Sequence, residues 1–363
     1  MTAVHMFVPT LENSALCNHA LQMQRAVREA GLESEVFAEH VRETHEGRGH
    51  KHVDYGSKFA VKPDDILLYQ FAIGSVVADF LKARPERFVV DYQNITPASY
   101  WQHWEPGVTW GMNWGRAQLQ QLATRADGAI THSRYSANEL DALGYPEPTL
   151  TPLLVDFASF EHSVDQKLLS VLQEQKKGGG ANVLFVGWMS PHKCQHDIIR
   201  AFKLYRDLYD PLAHLHLVGR TGSQAYIDAC QKLINELDLS TSATICGGVS
   251  DGELGAHYAA ADVLVCMSEH EGVGVPLHEA MHHKVPVIGY AAAAVPETVG
   301  DAGILLNRKT PALVAAAINR VVRDNALRSE LIERGLRRLE EVTLEQASKA
   351  LLGAIGPLID KKD

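Results

Sequence analysis

The sequence predicts an α/β fold built from two successive doubly wound, Rossmann-like domains. Three observations lead to this prediction. Short apolar runs alternate with helical patterns along nearly all of the 363 residues, which is typical of βαβ units and parallel sheets. A polar stretch that ends in three glycines, at 178–180, interrupts the alternation near the middle of the chain. The length also exceeds what one hydrophobic core usually serves.

Local patterns predict each element in turn. In the first half, strands are predicted at 4–8, 33–37, 66–69, 88–91 and 128–131, and helices at 18–30, 75–84, 114–124 and 136–143. Gly31 and Gly144 stand where helices commonly end. In the second half, strands are predicted at 183–186, 214–218, 243–246, 263–267, 285–289 and 304–306, and helices at 195–208, 226–237, 251–260, 276–283 and 311–323. A helical tail is predicted from 326 onward.

These patterns divide the chain into four parts. Residues 1–155 are predicted to form the first Rossmann-like domain, 156–181 the interdomain linker and 182–342 the second Rossmann-like domain. A C-terminal helix within 343–363 is expected to pack back on the first domain. The two domains are expected to face a central cleft. Ligands of doubly wound sheets bind at the carboxyl ends of the strands, so functional residues are expected directly after strands.

Composition narrows the class of protein. The formal net charge is −10 and the chain has no basic run, so no nucleic-acid partner is expected. No apolar stretch is long enough to span a bilayer, and the N-terminus does not have the pattern of a secretion signal. The five cysteines are far apart and fit no Cys-x-x-Cys pattern, which is typical of reduced thiols. We expect a cytoplasmic protein whose membrane contact, if it has any, is peripheral and at the inner face.

The segment 268–281 carries the main functional signal. It follows a predicted strand, and Pro276 suits the first turn of the next helix. Gly272 and Gly274 lack side chains, so backbone amides there can approach a ligand closely. A helix N-terminus favours an anion such as a diphosphate, and Glu279 in the first turn can accept hydrogen bonds from a ribose diol. Ordinary strand–helix turns also show this local pattern.

This segment, which reads Ser-Glu-His-Glu-Gly-Val-Gly-Val-Pro-Leu-His-Glu-Ala-Met, resembles the signature of the family-4 glycosyltransferases, retaining enzymes of the GT-B fold. Glu271 and Glu279 have the spacing of the two signature glutamates. The likeness is strong from about 182 to 306 and weaker in the first domain, chiefly at 94–97 and 128–143. It implies transfer of a hexose from a UDP- or GDP-sugar to a glycan or lipid-linked glycan, in surface polysaccharide synthesis. The first domain would bind the acceptor and the second the sugar nucleotide.

The resemblance also implies roles for individual residues. Glu279 would hold the donor ribose, Glu271 would contact the donor sugar, and Lys193 would neutralise the leaving diphosphate, which makes Glu271 and Lys193 the candidate catalytic residues. The residues expected to bind the donor are Gly187, Trp188, Lys193, Arg220, Glu271, Gly272, Val273, Gly274, Val275 and Glu279. No metal or other cofactor is expected, because the nucleotide sugar is a co-substrate and the chain has no Asp-x-Asp.

Trp188 departs from the family pattern, in which an Arg precedes the Lys by five residues. A guanidinium forms two parallel hydrogen bonds with phosphate that an indole cannot replace. Trp188 either stacks on a ligand ring or is a half-buried hinge aromatic. Arg220, after a predicted strand, either compensates for the missing charge or is a solvated loop residue. The departure leaves an alternative function open: a catalytically weakened homologue that binds a sugar nucleotide or a partner.

The acceptor side is expected in the first domain. Four tryptophans lie between 101 and 114, where they suit a sugar or lipid-linked acceptor or, equally, a local core cluster. The loop 10–15 lacks the glycine of relatives, and Gln93 stands where some have His, so His132 is the histidine to test first as a base. His278 and His282 have a possible metal spacing on a helix, but we expect no metal there.

Overall fold

The predicted fold class, with two doubly wound parallel sheets, is confirmed. A computed structural model describes residues 2–12, 14–157 and 164–359. The chain divides into unit 1, residues 1–155 and 342–363, and unit 2, residues 156–341. Residues 158–163 of the predicted linker, residue 13 of the 10–15 loop and residues 360–363 of the predicted C-terminal helix lie outside the described residues. Among the described helices, none combines the length and apolar character required to cross a bilayer.

Strands and helices alternate along both units. The strands are β1 (Val4–Leu11), β2 (Val36–Val41), β3 (His50–Lys51), β4 (Ile66–Phe71), β5 (Arg87–Tyr92), β6 (Gly128–Thr131), β7 (Thr149–Leu150), β8 (Asn182–Val186), β9 (His214–Val218), β10 (Ala243–Gly247), β11 (Val263–Cys266), β12 (Val287–Tyr290) and β13 (Gly303–Leu306). The helices are α1 (Ala15–Glu29), α2 (Val76–Lys82), α3 (Pro106–Leu122), α4 (Arg134–Ala142), α5 (Gln166–Gln175), α6 (Gln195–Leu208), α7 (Gln224–Glu236), α8 (Asp251–Ala260), α9 (Val275–His282), α10 (Val295–Val299), α11 (Pro311–Arg323), α12 (Asn325–Glu340) and α13 (Leu344–Ile359).

Unit 1 is built on a parallel sheet in the order β3-β2-β1-β4-β5-β6-β7. In the centre of this sheet, Phe7 of β1 pairs with Phe37 on one side and Tyr69 on the other. Residues 4–8 are buried on both faces of the strand, as expected when helices cover both sides of a parallel sheet.

Unit 2 has a parallel sheet in the order β10-β9-β8-β11-β12-β13. The chain winds outward from β8 to β10, returns to the centre, and winds in the opposite direction from β11 to β13. β8 and β11 are direct neighbours, with Val183 opposite Val263. The carboxyl ends of these two strands form the topological switch point, where doubly wound sheets bind their ligands.

Two helices lie in the segments predicted as the interdomain linker and the C-terminal helix. α13 packs against α1 in unit 1 and buries one face, formed by Ala347, Leu351 and Ile355, in the core beside β1. α5 falls within the range predicted as a linker and packs on α8 in unit 2, where Leu172 contacts a small core cluster. Apolar side chains at helical spacing explain why each helix is bound to its unit.

The predicted helix at 114–124 was wrong at its start, because α3 begins at Pro106. Pro106 suits a first turn, but the glycines that follow lower helix propensity and obscure the helical pattern. Gly115 packs against Gly74 so closely that a Cβ atom at Gly115 would lie 2.5 Å from the Gly74 nitrogen. A close approach of two backbones, which no local pattern reveals, therefore requires glycine at this position.

We expect Leu351→Ala to lower the free energy of unfolding by about 2–5 kcal/mol, because it leaves a cavity between α13 and the unit 1 core. Denaturant unfolding followed by circular dichroism measures this change. Lys349→Ala, an exposed change on the same helix, is the control and should alter stability by less than about 0.5 kcal/mol. Equal effects of the two variants would contradict the packing of α13 in this core.

Candidate active site

Lys193 and Glu271 form a buried ion pair at the switch point of unit 2. The Lys193 Nζ lies 2.6 Å from both carboxylate oxygens of Glu271, and the two side chains are only 16% and 9% exposed. Lys193 comes from a short helical turn after β8, and Glu271 from the loop after β11. Because β8 and β11 are adjacent, two side chains separated by 78 positions in the sequence meet here.

The two charges of this pair compensate each other, but Glu271 does not accept from all of the N–H donors of Lys193. Burying either charge alone would cost several kcal/mol, so the close contact between both oxygens and Nζ is what makes the burial possible. Among the described residues, the hydrogen bonds of the ammonium go to Glu271. An ammonium has three N–H donors, so one remains for an anionic ligand. The pair therefore provides a fixed cation at the edge of the sheet.

The loop between Glu271 and Val275 is held by its carbonyl groups. The Ala294 N–H donates to the Glu271 carbonyl at 3.3 Å, and the Thr298 hydroxyl donates to the Val273 carbonyl at 2.6 Å. The C=O and N–H of one trans peptide point in opposite directions. The N–H groups of Gly272 and Gly274 are therefore directed away from the α10 segment.

Gly274 sets the start of α9. It is the N-cap residue, with a φ of 91°, a left-handed conformation that favours glycine. A Cβ atom here would also lie 2.9 Å from the Leu277 side chain. Pro276 then occupies the first turn, as the sequence indicated. Alternate loop amides beside a helix N-terminus are an arrangement suited to phosphate groups.

Glu279 is buried in α9 and is 8% exposed. The Tyr258 hydroxyl on α8 donates to Oε2 at 2.7 Å. Burial raises the pKa of Glu279 to about 6, although the Tyr258 hydrogen bond opposes this and Asp251 adds to it. Burial and the Glu279 carboxylate together raise the pKa of Tyr258 well above its ordinary value, so the phenol remains a donor. Tyr258 was not among the predicted site residues, because its only signal in the sequence is its place on a predicted helix.

Two further contacts fix the loop after β11. The Glu269 N–H donates to the His192 carbonyl at 2.8 Å, which ties this loop to the turn that carries Lys193. Lys309 bridges Glu269 and Asp197, with Nζ–oxygen distances of 2.7 Å and 2.9 Å. Neither Lys309 nor Thr298 was among the predicted site residues, although Thr298 lies within the stretch 182–306 that resembles the family. These contacts hold the loop geometry independently of a ligand.

Trp188 and Arg220 lie at the ends of β8 and β9, on the same sheet edge as Lys193. The Trp188 side chain is 50% exposed, while its carbonyl accepts a hydrogen bond from Gln195 Nε2 at 2.8 Å. Arg220 is exposed, and its carbonyl accepts from the Met189 N–H at 2.9 Å. The Gly187 N–H donates to the Val218 carbonyl at 2.9 Å, which keeps the two strand ends together. The ligand-binding roles of these residues stay predictions.

His132 lies in unit 1 within a buried polar cluster. Its Nε2 is 2.7 Å from Asp91 Oδ1, and its Nδ1 is 2.9 Å from the Thr151 carbonyl oxygen. His19 Nε2 and Gln93 Nε2 approach the other Asp91 oxygen at 3.3 Å and 2.8 Å. Burial alone would raise the pKa of Asp91, but the two histidines outweigh it and hold the pKa well below its usual range. Protein acceptors engage both ring nitrogens of His132. This geometry therefore favours a positioning role for His132 over a role as the base that takes the proton of the acceptor substrate.

The tryptophan cluster divides into two parts. Trp101 is 2% exposed, as a core residue would be, whereas Trp110 is 63% exposed. The rings of Trp110 and Trp114 lie side by side, with centroids 4.8 Å apart. This pair, of which Trp110 is exposed and Trp114 half-buried, is the part of the cluster that fits an acceptor surface.

His278 and His282 both lie against the ring of Phe157, with centroid distances of 6.1 Å and 6.0 Å. Burial lowers the pKa of His278 to about 4. Among the described residues, the clusters whose geometry suits a metal ion do not include this pair. The expectation that no metal binds there stays a prediction.

Two doubly wound, Rossmann-like units in one chain are the architecture of the GT-B class of fold. The crystal structure of HepE from Anabaena in complex with UDP and glucose matches 98% of this chain and 100% of that chain, with a TM-score of 0.78 and 16% identity. At this identity the match shows the fold. Residues 171–338 match the family described as Glycosyl transferases group 1.

Curated relatives agree with the family match. O-antigen chain mannosyltransferase B of Escherichia coli is 27% identical over 238 residues, which cover 65% of this chain and 62% of that protein. A GDP-mannose-dependent alpha-(1-6)-phosphatidylinositol monomannoside mannosyltransferase of Mycobacterium tuberculosis is 29% identical, with 58% of this chain and 56% of that protein covered. The chain thus spans less than two thirds of the length of these relatives. The region that matches the glycosyl transferases group 1 family, residues 171–338, lies within unit 2.

We expect Glu279→Gln to change how stability depends on pH. Burial raises the pKa of Glu279 from 4.5 to about 6, so the folded state binds this proton more tightly than the unfolded state does. The stabilisation of the folded state that results is complete below the unfolded pKa of 4.5 and is lost as the pH rises through 6. Between pH 5 and 7.5 the parent should therefore lose about 1 kcal/mol of unfolding free energy relative to the variant. Urea unfolding at both pH values measures the difference.

Glu333→Gln is the control for this experiment, since Glu333 is an exposed glutamate on α12. That variant should follow the parent at both pH values. If Glu279→Gln also followed the parent, the conclusion that Glu279 is a buried carboxyl with a raised pKa would be wrong.

Proposed function

We propose that this chain is a retaining glycosyltransferase that moves a hexose from a UDP- or GDP-linked sugar to a glycan or lipid-linked glycan. The observation that carries the proposal is the Lys193–Glu271 ion pair, which lies beside the loop amides and the start of α9. A diphosphate needs a fixed cation and several N–H donors, and both are present at this strand edge. Glu279 lies in the second turn of the same helix and not in the first turn as the sequence indicated, and a carboxylate there can accept hydrogen bonds from a ribose.

The geometry favours a reaction that depends on leaving-group stabilisation. As the bond between the sugar C1 and the phosphate oxygen breaks, negative charge develops on the diphosphate. Lys193 and the amides of Gly272 and Gly274 stabilise that charge from fixed positions. The acceptor hydroxyl attacks C1 from the same face and transfers its proton to the departing phosphate oxygen, which retains the anomeric configuration. Glu271 positions Lys193 and stabilises the positive charge that develops on the sugar.

The donor and acceptor classes are supported by chemistry and by the relatives. The Mycobacterium tuberculosis relative is named as GDP-mannose-dependent, and the HepE crystals contain UDP and glucose, so both bases occur among similar proteins. The Escherichia coli relative is named for the O-antigen chain, which agrees with a role in surface polysaccharide synthesis. The Trp110–Trp114 pair in unit 1, in which Trp110 is exposed, suits a sugar ring or a membrane-associated acceptor. A peripheral position at the inner face of the membrane would give access to a lipid-linked glycan.

The proposal predicts that Lys193→Ala lowers kcat/KM for nucleotide release by about 10²–10³-fold, because it removes the cation that stabilises the leaving group. Nucleotide release from a panel of UDP- and GDP-sugars, with a glycan acceptor present, measures this rate. The parent should prefer one base clearly over the other.

Lys203→Ala is the matched control. Lys203 lies on α6, the helix that follows the Lys193 turn, and pairs with Asp207 at 2.7 Å. Its removal takes away one cation and one ion pair but should leave kcat/KM unchanged. A Lys193→Ala protein that remained folded and released nucleotide as fast as the parent would exclude this assignment of Lys193.

Trp188 favours a second candidate function, a weakened homologue that binds a sugar nucleotide or a partner without efficient transfer. We expect Trp188→Arg to raise kcat/KM for nucleotide release by about 10- to 100-fold, because a charge-assisted hydrogen bond is worth about 1.5–3 kcal/mol. Trp188→Phe keeps an aromatic ring without adding charge and should resemble the parent.

The outcomes of this experiment separate the two functions. If the parent binds donor without measurable turnover and the Trp188→Arg variant does turn over, the parent is the weakened homologue. If the parent turns over, and the Trp188→Arg variant is slower with a higher KM for the donor, the indole itself contacts a ligand ring. The second result would contradict the view that a missing charge limits this site.

A further inference from the structure

Three polar side chains converge at the β10 edge of the unit 2 sheet. His216 lies on β9, Cys246 on β10 and His257 on α8. One ring nitrogen of each histidine and the Cys246 Sγ all lie within 4.8 Å of one another. The two histidines are each 5% exposed, and their ring centroids are 5.3 Å apart. We call these three residues the His-Cys-His cluster.

The cluster contains buried polar atoms that the protein leaves unsatisfied. Among the described residues, neither His216 Nε2 nor His257 Nδ1 has a hydrogen-bond partner. A buried polar atom without a partner costs about 1–3 kcal/mol, so two in one place call for an explanation. A neutral imidazole has one ring nitrogen with a lone pair, and that nitrogen is the atom that binds a metal ion.

The backbone of β10 directs the cysteine toward the two histidines. Thr244 pairs with His216, and Ile245 pairs with Leu217, but Gly247 then pairs with Val218. Cys246 is therefore an extra residue in the strand, and such bulges re-aim a side chain. Cys246 is half-buried, which gives an ion a path from solvent.

Two other groups of residues have metal-compatible spacing, and both are already occupied by protein contacts. The Asp91 carboxylate in unit 1 is hydrogen-bonded to His132 and Gln93. The group of Cys194, His196 and Asp197 has the Lys309 ammonium on Asp197 at 2.9 Å. Of the three groups, the His-Cys-His cluster is the one in which two histidines each have a buried ring nitrogen without a hydrogen-bond partner in the described part of the chain.

We propose that His216, Cys246 and His257 form a binding site for a single divalent transition metal, for which zinc is the best match. Two imidazoles and a thiolate are a preferred zinc ligand set, and a fourth position is left for water. In a tetrahedral zinc site, ligand atoms lie roughly 3.3–3.6 Å apart, so side-chain shifts of about 1 Å would complete this geometry. Burial raises the pKa of the Cys246 thiol to about 11, and a bound cation supplies the charge that stabilises the thiolate instead.

The metal would link α8 to β9 and β10, two strands that already pair in the sheet. β10 is the edge strand of its sheet, and α8 follows it in the chain. A metal ion bound by residues of all three elements would hold the edge strand β10 and the helix α8 in one arrangement relative to β9. This site lies outside the Lys193–Glu271 pair and does not depend on the proposed transferase activity.

Titration of the chelator-treated, full-length protein tests the proposal. Zinc binding is measured by competition with a chromogenic chelator, and cobalt replaces zinc as an optical probe of the ligands. We expect one metal per chain, a thiolate-to-cobalt charge-transfer band, and a higher melting temperature with zinc because the ion binds the folded state. Cys246→Ser and His257→Gln should each weaken zinc binding by about 10- to 100-fold or more and abolish the thermal shift.

His214→Gln is the matched control. His214 lies on the same strand, and its ring stacks on that of His216 at 6.4 Å, but it is not part of the cluster. This variant should bind zinc like the parent, and melting curves without metal confirm that each variant is folded. The proposal is overturned if the parent binds no zinc, if Cys246→Ser binds as tightly as the parent, or if cobalt shows no thiolate band.

Discussion

The candidate site depends on the ion pair between Lys193 and Glu271. It joins the turn after β8 to the loop after β11 across the centre of a parallel sheet. Because both side chains are buried, loss of one partner would leave an uncompensated charge, at a cost of about 3–5 kcal/mol. The pair therefore restricts both segments to one geometry before any ligand binds. Preorganisation of this kind gives fixed charges their effect on a reaction, since no reorganisation is needed as charge develops.

An anionic ligand has to share this lysine with a carboxylate that is already in place. A net charge near zero at the ion pair would by itself attract a diphosphate only weakly. The remaining positive potential comes from the loop amides and the N-terminus of α9. Thr298 and Ala294 hold the carbonyl groups of this loop, and that arrangement directs the amides of Gly272 and Gly274 away from α10. The cation, the loop and the helix start thus act as one binding surface.

Local sequence patterns were sufficient where an element is bounded by clear signals. The predicted bounds of β9 and α6 agree with the structure, because an apolar run or an amphipathic repeat ends there at turn residues. The motif placed Glu271 and Glu279 near one loop because both belong to one contiguous segment. The ion pair with Lys193 and the Tyr258–Glu279 hydrogen bond could not be predicted in the same way. Both depend on which strands and helices become neighbours, and no local pattern contains that information.

α8 connects the two polar regions of unit 2. Successive residues on a helix point about 100° apart, so His257 and Tyr258 face different surroundings. Tyr258 donates to the buried Glu279 carboxylate, whereas His257 faces the cluster beside β10. A rotation of α8 that improved one contact would disturb the other, because both side chains are buried among close-packed neighbours. The orientation of the carboxylate proposed to hold a ribose is therefore set partly by packing at the far side of its neighbouring helix.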